Sequence, residues 1–173
     1  MKNKAVVVNG SSRIDGDTSK VIKYLNTTYQ FDIVHLKSKN IGHFDYEFNN
    51  ADDDFIPLME ELINYEVIVF ATPVYWYAMS GLLKVFFDRI SDLLETHKTL
   101  GRKLRGKQIA VLSVSNANDL KTGFTMPFIE SANYLGMPYL GAIHAWIEDS
   151  IIPNEVNENI DAFALNILKQ EKI

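Results

Sequence analysis

The twelve residues from Asn9 to Lys20, NGSSRIDGDTSK, gather two glycines, four hydroxyl side chains and one arginine into a turn between the apolar run Ala5 to Val8 and a helical pattern. Residue types of this kind suit an anion. The Ser11, Ser12 and Thr18 hydroxyls can donate hydrogen bonds, and Arg13 supplies a guanidinium that matches phosphate geometry. The start of the next helix adds unpaired N–H groups and the positive end of its dipole. Taken alone, the stretch also reads as a polar turn with Asp17 as the helix N-cap. It is neither G-x-G-x-x-G nor G-x-x-x-x-G-K-[ST], so a dinucleotide fold or an ATPase is not supported.

A second stretch, ATPVYWYAMSGLLKVFFDR from Ala71 to Arg89, carries a different chemistry. Pro73 directly after a buried run is expected to stop a strand ladder, and Tyr75, Trp76 and Tyr77 then present flat aromatic faces. Met79 and Gly81 allow a tight entry into the following helix. A planar ring system fits against such a wall, its edge read by the backbone of Thr72, Pro73, Val74 and Tyr75. Three aromatics in a row suit a core or a subunit interface equally well.

The elements that must position these loops follow from periodicity. Short β-branched runs at Ala5 to Val8, Phe31 to Leu36, Val67 to Ala71, Gln108 to Val114 and Tyr139 to Ala145 alternate with segments of helical period. Phe55, Leu58, Met59, Leu62 and Ile63 mark one amphipathic helix; Ile160, Phe163, Ala164, Ile167 and Leu168 mark another. The pattern predicts an α/β fold, a five-stranded parallel sheet wrapped by five helices, with residues 1–173 as a single domain. Ligands of open parallel sheets bind beyond the carboxyl ends of the strands. That brings both loops together with the turn after the fourth strand, Ser113 to Asn118. Met79 to Leu94 is apolar on more than one side, which implies a second buried surface and hence a homodimer, with the long connection Lys37 to Asp53 contributing to the interface or closing as a lid on its own subunit.

Composition removes other classes. A net charge of -5 and a pI near 5.3 argue against nucleic acid as partner, and the cluster Arg102, Lys103, Arg105, Lys107 reads as a solvated connection. There are no cysteines, which excludes disulfides, thiol catalysis and thiolate metal sites and is compatible with a reducing cytosol. The apolar run after Lys2 and Lys4 is too short for a secretion signal, and no stretch reads as a membrane span. His35, His43, His97 and His144 show no metal-ligand spacing, Asp52 to Asp54 read as partners of a helix dipole, and no G-x-S-x-G elbow occurs.

Together the two loops resemble the flavodoxin-like NAD(P)H-dependent FMN reductases. The residues carrying the likeness are Gly10, Ser11, Arg13, Gly16, Asp17 and Thr18 in the first loop, then Pro73, Tyr75, Ser80, Gly81, Lys84, Phe86, Asp88 and Arg89 in the second. The resemblance extends in element order over essentially the whole chain. It implies a doubly wound sheet of order 2-1-3-4-5 with FMN at the switch point, the flavodoxin arrangement. It further implies Ser11, Arg13, Asp17 and Thr18 at the FMN phosphate, and Pro73, Val74, Tyr75 and Trp76 along the ring. The family usually has Asn where this chain has Asp17, a carboxylate that repels a phosphate unless it turns away. Where the family often has a Gly-rich turn after the fourth strand, this chain offers Ser115 and Asn116, implying contact through side chains. The implied activity is hydride transfer from NAD(P)H through FMN to a small electron acceptor such as a quinone, nitroaromatic, azo compound or flavin, in the cytoplasm. No catalytic acid or base and no metal is required. The alternative is a non-catalytic electron carrier or a flavin-free interaction module of the same fold.

Overall fold

A computed structural model of the chain describes residues 4–169. Five strands, β1 (Ala5–Asn9), β2 (Asp32–His35), β3 (Val67–Pro73), β4 (Gln108–Ser115) and β5 (Tyr139–Trp146), form one sheet of order β2-β1-β3-β4-β5. Every pairing is parallel. The central strands β1 and β3 are buried along their whole length, so they read as continuous apolar runs and not as alternations.

Helices cover both faces. α1 (Asp17–Tyr29) and α7 (Asn154–Lys169) pack Val21, Ile22, Leu25, Val156 and Ile160 onto the face carrying Val7 and Val69. α2 (Phe55–Leu62), α3 (Gly81–Asp88), α4 (Asp92–Glu95), α5 (Lys98–Arg102) and α6 (Met126–Leu135) lie in chain order around the opposite core, which holds Val6, Val8, Ile68 and Phe70 with Leu58, Leu83, Phe86 and Phe128. Full burial of each such side chain contributes about 1.5–3 kcal/mol.

Three expectations need correction. Pro73 does not stop the ladder: it lies opposite Val114 in β3, and Val74 N–H still donates to Val114 C=O at 2.8 Å. Its missing N–H would point to the β1 side, where pairing has already ended at Asn9 opposite Ala71, so no bond is lost. Met79 to Leu94 is not one helix; a 3-10 turn at Arg89–Ser91 separates α3 from α4, and with α5 the described residues form seven α-helices where five were expected. Asp17 is not the N-cap of α1. Gly16 caps it in an extended conformation, and the Asp17 carboxylate instead accepts a bond from Lys20 Nζ at 2.9 Å.

At this turn the Arg89 guanidinium is buried inside the fold. Arg89 is 1% exposed and pairs with both Asp53 and Asp92, donates to the Gly42 and Asn50 carbonyls, and lies 4.9 Å from the Phe55 ring centroid. The long connection after β2 is thereby tied to its own subunit. Asp45 folds its tip by accepting from Glu47 N–H, Asn49 N–H and Asn49 Nδ2, and Phe44 packs edge-on against Tyr46 and Phe48. Among the described residues no helix is long and apolar enough to cross a membrane.

Candidate functional site

The loop after β1 is built from its first residues upward. Gly10 N–H donates to Ala71 C=O at 2.8 Å, and a Cβ on Gly10 would stand 2.8 Å from Leu83 Cβ, so only glycine lets β1 leave the sheet this close to α3. Asn9 is 1% exposed, and its Oδ1 accepts from Ser11 N–H at 2.9 Å, which sets the first bend. Ser11 Oγ then bonds Arg13 C=O, and Arg13 N–H donates back to the same hydroxyl.

α1 opens with a bond from Lys20 N–H to Gly16 C=O, so the amides of Asp17, Thr18 and Ser19 precede the helical ladder at its positive end, without a partner among the described residues. A Cβ on Gly16 would meet Arg13 Nε at 3.1 Å, so the glycine leaves room for the guanidinium beside the helix end. Among the described residues no carboxylate pairs with Arg13.

The loop after β3 is locked to the first by one hydroxyl. Ser80, 2% exposed, caps α3 by accepting from Leu83 N–H at 3.1 Å while donating to Gly10 C=O at 2.6 Å. Ser80 N–H donates to Thr72 Oγ1 at 3.0 Å, and that hydroxyl in turn donates a hydrogen bond to Pro73 C=O at 2.9 Å. Ser80→Ala removes the cap and leaves a buried carbonyl unpaired; the expected loss is about 1–2 kcal/mol, a fall in Tm of roughly 5 °C. Ser80→Thr should restore most of it. Thermal unfolding of the two variants checks this, and equal melting of Ser80→Ala and parent would refute the joint.

Tyr75 and Ala78 exchange two backbone hydrogen bonds of 3.0 Å around Trp76 and Tyr77, which carry φ angles of 48° and 63°. Both residues are left-handed, the signature of a type I′ hairpin turn. Trp76 is 92% exposed at the tip, and Tyr77 is 62% exposed.

The loop after β4 is held from β5 by His144. Ser113 Oγ lies 2.9 Å from Nδ1, while Ser115 Oγ and the Ala117 carbonyl lie 3.2 and 3.0 Å from Nε2. Nothing in the sequence pattern marked His144 for this task, because the contact depends on the β4 to β5 register that sets Ser113 opposite it.

These three loops enclose a cleft of about 230 Å³ at the carboxyl edge of the sheet. Ser11, Arg13, Asp17 and Thr18 line one end, Pro73, Val74 and Tyr75 one wall, and Val114, Ser115 and Asn116 the other. Of the residues singled out in the sequence, Ser12, Thr72, Trp76 and Tyr77 lie outside this lining. One end offers amides, hydroxyls and a guanidinium to an anion; between the two walls, Pro73, Val74 and Tyr75 on one side and Val114, Ser115 and Asn116 on the other, a ring system can lie.

The chain from residue 3 to 150 matches the family model for NADPH-dependent FMN reductases. YwqN of Bacillus subtilis, provisionally named an NAD(P)H-dependent FMN-containing oxidoreductase, is 26% identical over 150 residues, covering 81% of this chain and 83% of its own. An iron-sulfur flavoprotein of Clostridioides difficile is 32% identical over 143 residues, 72% of this chain and 59% of its own. Among solved structures, an FMN-dependent NADH-azoreductase of Bacillus anthracis in complex with FMN superposes with a TM-score of 0.71 at 15% identity, over 99% of this chain and 100% of the other, a likeness of fold. The flavodoxin-like sheet and the match over residues 3–150 establish that the chain is an oxidoreductase of the NADPH-dependent FMN reductase family.

Proposed function

We propose that the cleft binds FMN with its phosphate on the Ser11 to Thr18 loop and its ring between the Pro73–Tyr75 and Ser115–Asn116 walls, and that the enzyme passes electrons from NAD(P)H to a small planar acceptor. The observation that carries this reading is the pairing, in one cleft, of the α1 N-terminus and Arg13, which among the described residues has no carboxylate partner, with the Pro73–Tyr75 wall fixed to them through Ser80. The residues fit the cofactor: Ser11, Arg13 and Thr18 offer hydroxyl and guanidinium donors to a phosphate at one end of the cleft, and Gly16 leaves room for the Arg13 side chain beside them.

When bound, FMN supplies the hydride and electron chemistry. The protein's share is placement. Ser11, Thr18, the α1 amides and Arg13 hold the phosphate, and the Pro73 to Tyr75 backbone orients the ring edge. Ser115 and Asn116 approach from the other side. Trp76 and Tyr77, at the exposed hairpin tip, offer aromatic faces to a flat acceptor such as a quinone, nitroaromatic, azo compound or free flavin. The chain has no cysteine, so it has no thiolate to hold a cluster like the one for which its iron-sulfur relative is named.

The reading includes a cytoplasmic homodimer. A groove lined by Phe87, Ile90 and Leu94 against Tyr134 and Leu135 leaves apolar surface of the broken Met79 to Leu94 segment facing outward, and Tyr134 is 76% exposed. The test is the absorption spectrum of the purified protein with and without added FMN, followed by NAD(P)H oxidation with a quinone and an azo dye, and by light scattering. A yellow, NAD(P)H-oxidising dimer is expected. A protein that stays colourless with FMN at tens of micromolar, about -6 to -7 kcal/mol, refutes the cofactor site, and a monomer at that concentration refutes the dimer.

A further inference from the structure

Beneath the anion loop lies a polar contact that the cofactor reading does not use. Asn9 Nδ2 stands 3.1 Å from His35 Nδ1 across the β1 to β2 pairing and 3.4 Å from Ser19 Oγ on α1. The orientation of the Asn9 amide follows from its other end. Ser11 N–H can only donate, so the atom that meets it at 2.9 Å must be the amide oxygen. The nitrogen therefore faces the imidazole, and His35 Nδ1 must accept. Such a bond uses the tautomer that carries its proton on Nε2.

A second proton on His35 would go to Nδ1 and set one N–H against another. Either the contact opens, or the Asn9 amide turns over and points its nitrogen at Ser11 N–H; in both cases a hydrogen bond at the root of the loop is lost. Asn9 is almost fully buried, so water does not readily replace it. The groups around the ring give no counterweight. β1 presents Asn9, and α1 contributes Ser19 through Asn9 along a stretch whose charges are Asp17, Lys20 and Lys23. Lys37 and Lys39 follow in the chain, and among the described residues no ion pair joins His35 to a carboxylate.

We propose that Asn9 and His35 are a positioning pair for the anion loop, and that protonating His35 loosens its grip on the FMN phosphate. This rests on the reading that the phosphate sits on that loop. Histidine is the side chain that ordinarily changes charge between pH 5 and 8, so the comparison is made across that range.

The test compares FMN with riboflavin, which lacks the phosphate, by fluorescence titration of the parent and of His35→Asn at about pH 8 and about pH 5.5. Asparagine can place a carbonyl oxygen where Nδ1 stands, and it does not titrate. The phosphate's own protonation is common to both proteins and cancels. The preference for FMN over riboflavin should fall in the parent by about five- to tenfold more than in His35→Asn, the loss of one buried hydrogen bond. An equal fall in both proteins overturns the positioning pair while leaving the phosphate site in place. No preference for FMN in either protein at either pH overturns the phosphate placement, and the proposal with it. A ¹⁵N spectrum of the parent imidazole at about pH 8 decides independently of how the variant folds: an unprotonated Nδ1 is expected, and a proton on Nδ1 overturns the pair.

Discussion

Arg89→Ala is expected to lower stability by about 3–5 kcal/mol, roughly 10 °C in Tm, without touching the cleft. The side chain is buried between Asp53 and Asp92, whose side chains are 8% and 10% exposed, so its removal strands two carboxylates where water cannot reach them. The damage should also be pH-dependent. In the parent, burial alone would raise the Asp53 carboxyl, but its bonds from Arg89 and from the Phe55 and Gly42 amides outweigh burial and hold it below the usual range. Its contribution is therefore complete above the unfolded carboxyl's value of about 3.9 and fades as pH falls through the lower folded value. In Arg89→Ala the guanidinium no longer opposes burial and the carboxyl rises, so acid relieves the variant while it weakens the parent. Melting curves at about pH 7 and about pH 4 should show the gap narrowing. A gap of constant size would mean that the loss is one of packing over Phe55 and not of charge. Arg89→Lys should recover only part, since one ammonium cannot span both carboxylates and the two carbonyls.

The second large effect concerns the anion end of the cleft. Arg13→Ala should weaken FMN about ten- to a hundredfold, the value of a charge-assisted hydrogen bond, and leave riboflavin binding unchanged. Asp17 acts in the opposite direction, though less than its position suggests. Its carboxylate lines the cleft, yet Lys20 lies 2.9 Å from it, so the phosphate would meet a pair and not a bare anion. Both members are about four-tenths exposed, so the pair adds little to stability. Asp17→Asn should therefore tighten FMN only about fivefold, and Lys20→Ala should weaken it by a similar factor. Titration of the three variants at low and high salt checks all of this: the differences should shrink with salt. Arg13→Ala binding FMN as tightly as the parent would move the phosphate elsewhere.

The frame of this protein was legible because parallel strands buried on both faces announce themselves as apolar runs, and all five strands lie where such runs occur. The cleft was legible for a related reason: a switch point gathers loops that follow particular strands, so reading β1, β3 and β4 already assembles Ser11, Tyr75 and Asn116. What escaped depends on partners distant in the chain. Asp53 looked like a helix-dipole residue because its real partner, Arg89, is 36 positions away. Pro73 looked like a terminator because the absence of a β1 neighbour at that level follows only from the register. The break in the Met79 to Leu94 segment falls at a buried charge, Arg89, which an apolar pattern does not display. His144 supports the loop after β4 from a strand 29 to 31 residues later.

The hairpin tip at Trp76 and Tyr77 sets two kinds of selection against each other. Bulky residues held left-handed cost roughly 1–2 kcal/mol apiece, and the same turn would form with less strain from Asn-Gly. Any lineage or laboratory screen that rewards heat resistance alone would drift toward that dipeptide and erase the aromatic surface. A screen that rewards turnover of flat acceptors would keep the rings and accept the looser fold. The tip is thus where variants of this enzyme should diverge first, and where a thermostable consensus built from relatives would mislead a designer most.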